Sequence, residues 1–196
     1  MAIMASVING GASGLRVAGA RDVKNAKTFN IPVIGLTKPE QLPINWKEVV
    51  YITPTLKEVE ELIGADADII AFDGTSRPRP NGCTLKDIIT NIHNANKLAM
   101  ADISTLSEGI NCASLGADII STTLSGYTLE SESTSNEPDF ELLTELVKKI
   151  DKPVILEGRI WEPSDVDKAF EIGAHSVVIG SAITRPQLIT KRFVDR

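Results

Sequence analysis

The chain has 196 residues, of which 42% are hydrophobic, and its formal net charge is −6 at pH 7. A chain of this length can bury one sizeable core, so we expect a single domain over residues 1–196. The acidic balance with scattered basic residues argues against nucleic acid as a partner, and no apolar run is long enough to cross a membrane. Two cysteines, Cys83 and Cys112, indicate neither a disulfide framework nor a zinc site, so we expect no bound metal and a cytoplasmic protein.

Short apolar runs rich in β-branched residues recur along the chain and predict β-strands. In chain order they are SGLRV (13–17), IPVIGL (31–36), VVYIT (49–53), ADIIAFD (67–73), LAMADI (98–103), ADIISTTL (117–124), KPVILEG (152–158) and HSVVIG (175–180). These runs are nearly continuous in apolar residues rather than alternating, which is typical of strands buried on both faces.

Segments with apolar residues at three- and four-residue spacing lie between most of these runs and predict helices. Examples are Leu56–Val59–Leu62–Ile63, Leu85–Ile88–Ile89–Ile92 and Phe140–Leu143–Leu146–Val147. Gly116 and Gly173 follow two such segments, as glycines at helix ends do. A strand–helix unit repeated roughly every 20–35 residues predicts a parallel barrel or a doubly wound sheet. No GxGxxG motif follows the first strand, which favours the α/β class with a (β/α)8 TIM barrel.

Charged residues stand at the carboxyl ends of the predicted strands, where parallel barrels carry their chemistry. The strand ends are Arg16, Lys38, Asp73, Asp102, Thr122–Thr123, Glu157 and Gly180–Ser181. Carboxylates and amines that converge above an apolar barrel can form an acid–base site. Two alternatives stay open, because Asp73 and Asp102 could cap the following helices and Lys38 could mark a strand that reaches the surface.

Glycines at the last two strand ends predict a phosphate site. Gly158 and Gly180 would let the backbone approach a ligand, and the N–H groups of a short helix from Ser181 would face an anion. Arg185 could add a charge-assisted contact. Alternatively, these glycines serve only to make tight turns.

Several motifs together resemble the N-acylglucosamine-6-phosphate 2-epimerase family, whose fold is a barrel of the ribulose-phosphate-binding type. They are MADIST (100–105), TTLSGYT (122–128), EGRIWEP (157–163), VVIGSAITRP (177–186) and ITKRF (189–193), supported by GLR (14–16), PVIGLTK (32–38), YITPTLKEV (51–59) and AFDGTSRPRP (71–80). The resemblance implies that N-acetylmannosamine 6-phosphate and N-acetylglucosamine 6-phosphate are interconverted in bacterial sialic acid breakdown, without a cofactor. The implied partner is this phosphorylated amino sugar, and a homodimer is compatible with the family.

The resemblance places the catalytic lysine at Lys38, the catalytic carboxylate at Glu157, and orienting and binding residues at Asp102 and Arg16. Inverting C2 of an open-chain amino sugar requires a base, a proton donor and stabilisation of the developing oxyanion. Lys38 would act as a base only when neutral, which burial and the neighbouring Arg16 would favour. Lys57 falls within a helical pattern and is expected on its solvated face.

The chain departs from the family pattern beside the lysine, where Pro39 replaces the usual arginine and residues 39–50 form a longer stretch. Gly74 replaces the alanine that the family more commonly has, which is a mild change. Two rival functions stay open. One is a phosphosugar aldolase that uses Lys38 to form a Schiff base, and the other is a non-catalytic sugar-phosphate-binding barrel.

The resemblance also aligns MAIMASVINGG, at the start of the chain, with the family's first helix, and it places YITPT outside the barrel wall. We therefore expect a chain that is truncated at its amino terminus relative to the family and supplies seven of the eight strands. Such a barrel would have two unpaired strand edges and reduced activity, unless VVYIT is recruited to close it.

Overall fold

The computed structural model describes residues 1–195, which contain seven strands in a single parallel sheet. The strands are β1 (Leu15–Ala18), β2 (Val33–Leu36), β3 (Ile69–Asp73), β4 (Leu98–Asp102), β5 (Ile119–Ser121), β6 (Val154–Glu157) and β7 (Ser176–Val178). Each strand pairs with the next one in the chain, from β1 to β7. This sequential order is that of a β/α barrel wall, whereas a doubly wound sheet reverses its order. The barrel prediction is confirmed.

The first helix precedes the first strand, the other helices follow strands, and together they form the outer layer. They are α1 (Ala2–Asn9), α2 (Ala20–Lys27), α3 (Leu56–Gly64), α4 (Leu85–Asn94), α5 (Leu106–Leu115), α6 (Phe140–Lys149), α7 (Pro163–Ile172), α8 (Ser181–Thr184) and α9 (Pro186–Val194), with a 3-10 turn at Pro80–Gly82. Three begin with a threonine in a reciprocal capping box, which satisfies the first free N–H groups: Thr55 with Glu58, Thr84 with Asp87 and Thr105 with Glu108. Gly116 and Gly173 end α5 and α7 in the left-handed conformation, as expected.

Alternate residues of each strand pack on opposite sides of the wall, and both sides are apolar. One set packs against the helices, where Val33, Ile70 and Phe72 are completely buried. The other set fills the inside of the barrel and includes Leu36, Ala71, Met100, Ile119 and Ile155. The continuous apolar runs in the sequence arise from this double burial.

The apolar run VVYIT (49–53) is not a strand of the barrel wall. It lies in the long connection between β2 and α3, where Thr53 exchanges hydrogen bonds with Thr37 and donates to the carbonyl of Ala71. Ile52 and Tyr51 pack onto the apolar cluster inside the barrel, which explains why the run is hydrophobic. The expectation that this segment lies outside the barrel wall is therefore confirmed, and the alternative in which the run closes the barrel is wrong.

Within residues 1–195, β1 pairs only with β2 and β7 pairs only with β6, so the wall is open between β1 and β7. Helix α1 contacts α8 at this seam, in the outer layer. The seam thus carries helices on its outside, while the two strand edges keep free backbone hydrogen-bonding groups.

Candidate active site

The inside of the barrel becomes polar toward its carboxyl end. The inward positions that follow the apolar set include Asp102 at the end of β4, Thr123 just after β5 and Glu157 at the end of β6. Arg16 of β1 extends its guanidinium to two of them. Its Nη2 lies 2.6 Å from Asp102 Oδ2, and its Nε lies 3.2 Å from Glu157 Oε2. The structure thus brings Arg16, Asp102 and Glu157 into one charged cluster.

This cluster is largely shielded from water. The side chain of Asp102 is completely buried, that of Arg16 is 8% exposed, and that of Glu157 is 19% exposed. Because Asp102 binds Arg16 rather than the amino end of a helix, the alternative that it serves as a helix cap is wrong.

Glu157 holds its proton unusually tightly. Burial raises the pKa of the Glu157 carboxyl to about 7; Arg16 opposes this rise, and Asp102 adds to it. Lys38 also lowers the pKa of Glu157, so the ammonium group lies within electrostatic reach of the cluster. A carboxyl group with a pKa near neutrality can give and take protons at physiological pH.

Lys38 lies two residues beyond the end of β2, at the mouth of the barrel, and is exposed. Burial of this lysine was expected from the sequence, and the structure does not show it. The reason is local: β2 ends at Leu36, and the chain then leaves the wall toward the exposed Pro39. The ammonium group therefore acts on Glu157 from the exposed rim and not from inside the core. Lys57 is exposed on α3, as predicted.

The predicted phosphate residues lie at the ends of β6 and β7. Gly158 has φ +109°, a conformation that favours glycine, so the turn alone explains this residue. Gly180 differs, because its φ is −103° and a Cβ there would meet nothing within 4 Å among residues 1–195. The space beside Gly180 is therefore open. Ser181 begins α8, and Arg185 follows that helix with an exposed side chain.

Asp73, another predicted strand-end carboxylate, belongs to a different cluster. It accepts hydrogen bonds from the backbone and hydroxyl of Thr75 and is paired with Arg77, whose Nη2 lies 2.6 Å from Asp73 Oδ2. Arg77 also donates to the carbonyls of Trp46, Lys47 and Val49. Asp73 thus anchors the connection after β2 through Arg77, and it neither caps a helix nor joins the Arg16 cluster.

The sequence did not single out Tyr51 and Arg77. Tyr51 packs against the apolar cluster inside the barrel, and burial raises the pKa of its phenol, with Arg77 opposing and Asp73 and Asp102 adding to the rise. The motif SRPRP could have indicated Arg77. It places two arginines close to a buried strand, and a buried arginine requires hydrogen-bond acceptors.

Within the described residues 1–195, no group of three or more His, Cys, Asp or Glu is placed to hold a metal ion. Nor does this part of the chain contain a helix with the length and apolar character needed to span a bilayer.

The fold and the cluster define a β/α-barrel protein with an acid–base site at the carboxyl end of its strands. Residues 1–196 match the family model described as "Putative N-acetylmannosamine-6-phosphate epimerase". A Clostridium perfringens protein with the name "Putative N-acetylmannosamine-6-phosphate 2-epimerase" is 52% identical over 197 residues, which cover 100% of this chain and 86% of the relative. The chain belongs to the N-acetylmannosamine-6-phosphate epimerase family.

Solved structures agree with this assignment. The N-acetylmannosamine-6-phosphate 2-epimerase from Clostridium perfringens is similar with a TM-score of 0.92 and 49% identity, covering 99% of this chain and 83% of that one. A 3-hexulose-6-phosphate synthase is similar with a TM-score of 0.65 and 14% identity, covering 92% of this chain and 83% of that one. The second likeness shows the barrel fold alone.

Proposed function

We propose that this chain interconverts N-acetylmannosamine 6-phosphate and N-acetylglucosamine 6-phosphate by removing and returning the proton at C2, without a cofactor. The observation that carries the proposal is the Arg16–Asp102–Glu157 cluster, with Lys38 within electrostatic reach of it at the mouth of the barrel. The activity named for the 52% identical relative supports the same conclusion.

Lys38 is the proposed base. Its exposed position on the rim leaves the amine accessible to a sugar that enters the mouth, within electrostatic reach of Glu157. In its neutral form Lys38 takes the C2 proton, and the electron pair of that C–H bond moves into the adjacent carbonyl to form an enolate. An enolate requires positive charge or a proton donor near its oxygen.

Glu157 is the proposed acid. Because its pKa is about 7, a large fraction of the carboxyl is protonated at neutral pH and can donate to the sugar as negative charge develops. Arg16 orients this carboxyl and is available to the sugar hydroxyl groups, and the buried Asp102 holds Arg16 in place. A proton from Glu157 then enters C2 on the face opposite Lys38 as the carbonyl re-forms, which leaves Lys38 protonated and Glu157 ionised until exchange with water restores both groups.

The phosphate is proposed to bind at the ends of β6 and β7. The space beside Gly180, the N–H groups near Ser181 and the exposed guanidinium of Arg185 support this placement, with Gly158 forming the adjacent turn. An anchored phosphate would hold C2 between Lys38 and Glu157, and such positioning lowers the barrier to reaction.

Proton NMR in deuterated water tests the proposal. N-acetylmannosamine 6-phosphate incubated with the protein should give the gluco epimer with deuterium at C2. Binding without exchange would overturn the proposal in favour of a non-catalytic sugar-phosphate-binding barrel. Borohydride trapping should leave no lysine adduct; an irreversible adduct would indicate an aldolase instead. The comparisons support neither alternative. A cytoplasmic location and a homodimer stay predictions.

A further inference from the structure

The chain directly after Glu157 adopts an unusual backbone conformation. Gly158 has φ +109° and Arg159 has φ +58°, so two successive residues lie in the left-handed region. Within residues 1–195, six residues other than glycine have a positive φ, and four of them are Asn or Asp, which tolerate it. Arg159 is one of the two exceptions. Because Gly or Asn would adopt this φ at a lower cost, contacts of the Arg159 side chain have to offset the strain.

The guanidinium of Arg159 clasps the connection between β5 and α6. Its Nη1 lies 2.7 Å from the carbonyl oxygen of Ser125, and its Nε lies 2.6 Å from that of Glu137. It also lies over the ring of Tyr127, 5.6 Å from the ring centroid. A Cβ at Gly126 would come within 2.6 Å of Nη1, so a larger residue there would displace the guanidinium. Two charge-assisted hydrogen bonds and a ring contact therefore tie the turn after β6 to the neighbouring connection.

The part of the connection that binds Arg159 is itself anchored. The backbone N–H of Ser125 donates to the carbonyl of Thr122 at 2.9 Å, and its hydroxyl donates to Asp139, which caps α6. Thr122 in turn binds the backbone of Glu157. Its Oγ1 accepts from the Glu157 N–H at 3.1 Å and donates to the Glu157 carbonyl at 3.0 Å. One turn after β5 therefore holds both Glu157 and the residue two positions beyond it.

The carboxylate of Glu157 depends on this backbone support because its own contacts are long. Its Oε2 lies 3.2 Å from Arg16 Nε and 3.2 Å from Thr123 Oγ1, and the side chain is 19% exposed. A close charge-assisted pair has a separation of about 2.7–2.9 Å. The position of this carboxylate thus follows the backbone at the end of β6, and Arg159 holds the chain directly beyond that point.

We propose that Arg159 is a positioning residue for Glu157. By fastening the left-handed turn to the β5–α6 connection, it keeps the backbone of Glu157 against Thr122 and the carboxylate in place beside Arg16. The guanidinium acts through Glu157 and not through the sugar. The effect on catalysis rests on the proposed function, in which Glu157 is the acid, whereas the hold on the backbone does not.

Two substitutions separate the side chain from the backbone conformation. Arg159→Gly removes the clasp and adopts φ +58° without strain, whereas Arg159→Ala removes the clasp and keeps the strain. We expect kcat for N-acetylmannosamine 6-phosphate to fall about 10–100-fold in both variants, since a misplacement of about 1 Å can cost about 10²-fold. KM should stay within about twofold of the wild-type value, because the contacts that bind the sugar phosphate are retained.

Hydrogen–deuterium exchange of backbone amides, followed by NMR, gives a readout that does not depend on activity. The Glu157 amide, which Thr122 Oγ1 protects, should exchange about tenfold faster in Arg159→Gly, while the amides of β3 and β4 keep their wild-type rates. If Arg159→Gly does not fold, Arg159→Asn gives the same test, because asparagine also adopts a positive φ.

Lys168→Ala is the matched control. Lys168 is a second cation over an aromatic ring next to this connection, since its Nζ lies 4.0 Å from the ring centroid of Phe140 at the start of α6. Within residues 1–195 it donates no hydrogen bond to the turn after β6. Its removal should leave kcat and the exchange rate of the Glu157 amide unchanged.

The outcomes distinguish the possible roles of Arg159. A wild-type kcat in Arg159→Gly, or a wild-type exchange rate of the Glu157 amide, would overturn the proposal. A raised KM with an unchanged kcat would overturn it in favour of a direct contact between Arg159 and the sugar phosphate. A wild-type protein without epimerase activity would overturn the proposed function, and the exchange rate of the Glu157 amide would then decide alone whether Arg159 holds Glu157.

Discussion

Replacing Glu157 with glutamine should make the protein more stable at high pH. The folded protein keeps the Glu157 proton up to a pKa of about 7, whereas the unfolded chain loses it near the ordinary value of 4.5. Between these values the folded state binds more protons, so its stability falls as pH rises. Because of its raised pKa, Glu157 lowers the free energy of unfolding above about pH 7 and leaves it unchanged below about pH 4.

The size of the effect follows from the same two values. They differ by about 2.5 units, and each unit corresponds to 1.36 kcal/mol, which gives an upper limit of about 3 kcal/mol. Glutamine has nearly the same shape and carries no charge, so the variant lacks this dependence. Arg16 keeps its 2.6 Å pair with Asp102 in the variant, so no cation is left unpaired.

Urea unfolding of both proteins at pH 5, 6, 7 and 8 measures the difference. The free energy of unfolding of Glu157→Gln minus that of the wild type should increase steadily with pH. This difference should be about 2–3 kcal/mol larger at pH 8 than at pH 5. Other titrating groups are common to both proteins and cancel. A difference in free energy of unfolding that is constant with pH would show that burial of Glu157 does not raise its pKa.

Four further predictions follow from the site and the wall. Lys38→Ala should lower C2 exchange about 10²–10⁴-fold while sugar-phosphate binding survives, and retention of more than about a tenth of the activity would place the base elsewhere. Arg185→Ala should raise KM far more than it lowers kcat, since a phosphate contact acts in the ground and transition states alike; a lowered kcat with an unchanged KM would contradict this role. Arg77→Ala should cost about 3–5 kcal/mol in urea unfolding, because it leaves the completely buried Asp73 without its cation. A version of the chain extended upstream by one strand should have a higher thermal midpoint and turnover if that strand pairs with the open edges of β1 and β7, and equal values would refute the pairing.

Two exposed residues provide matched controls for these variants. Lys57→Ala removes a solvated lysine from α3 and should leave C2 exchange unchanged. The side chain of Arg21 is 90% exposed, so Arg21→Ala should change the free energy of unfolding by no more than about 0.5 kcal/mol. A large effect in either control would show that the assay reports something other than the intended site.

The apolar runs were sufficient to predict most of the wall, because a parallel strand buried on both faces leaves a hydrophobic signal in the chain itself. They did not distinguish VVYIT from a strand. Ile52 is buried and Tyr51 partly buried against the inside of the barrel, and they give the same signal from a connecting segment, so hydrophobicity reported burial and not strand pairing. Only the resemblance to a family placed this segment correctly.

The strand-end pattern likewise predicted which charged residues lie at the carboxyl end, since parallel strands bring their ends to one rim. It could not predict how those residues pair. Asp73 and Asp102 occupy equivalent strand ends, yet one is bound by Arg77 from its own loop and the other by Arg16 across the barrel. Which arginine reaches which carboxylate depends on side-chain length and on the curvature of the wall. The exposure of Lys38 and the pairing of Arg16 with Asp102 are likewise decided in three dimensions, because Arg16 and Asp102 are 86 positions apart in the chain and meet only when the wall curves.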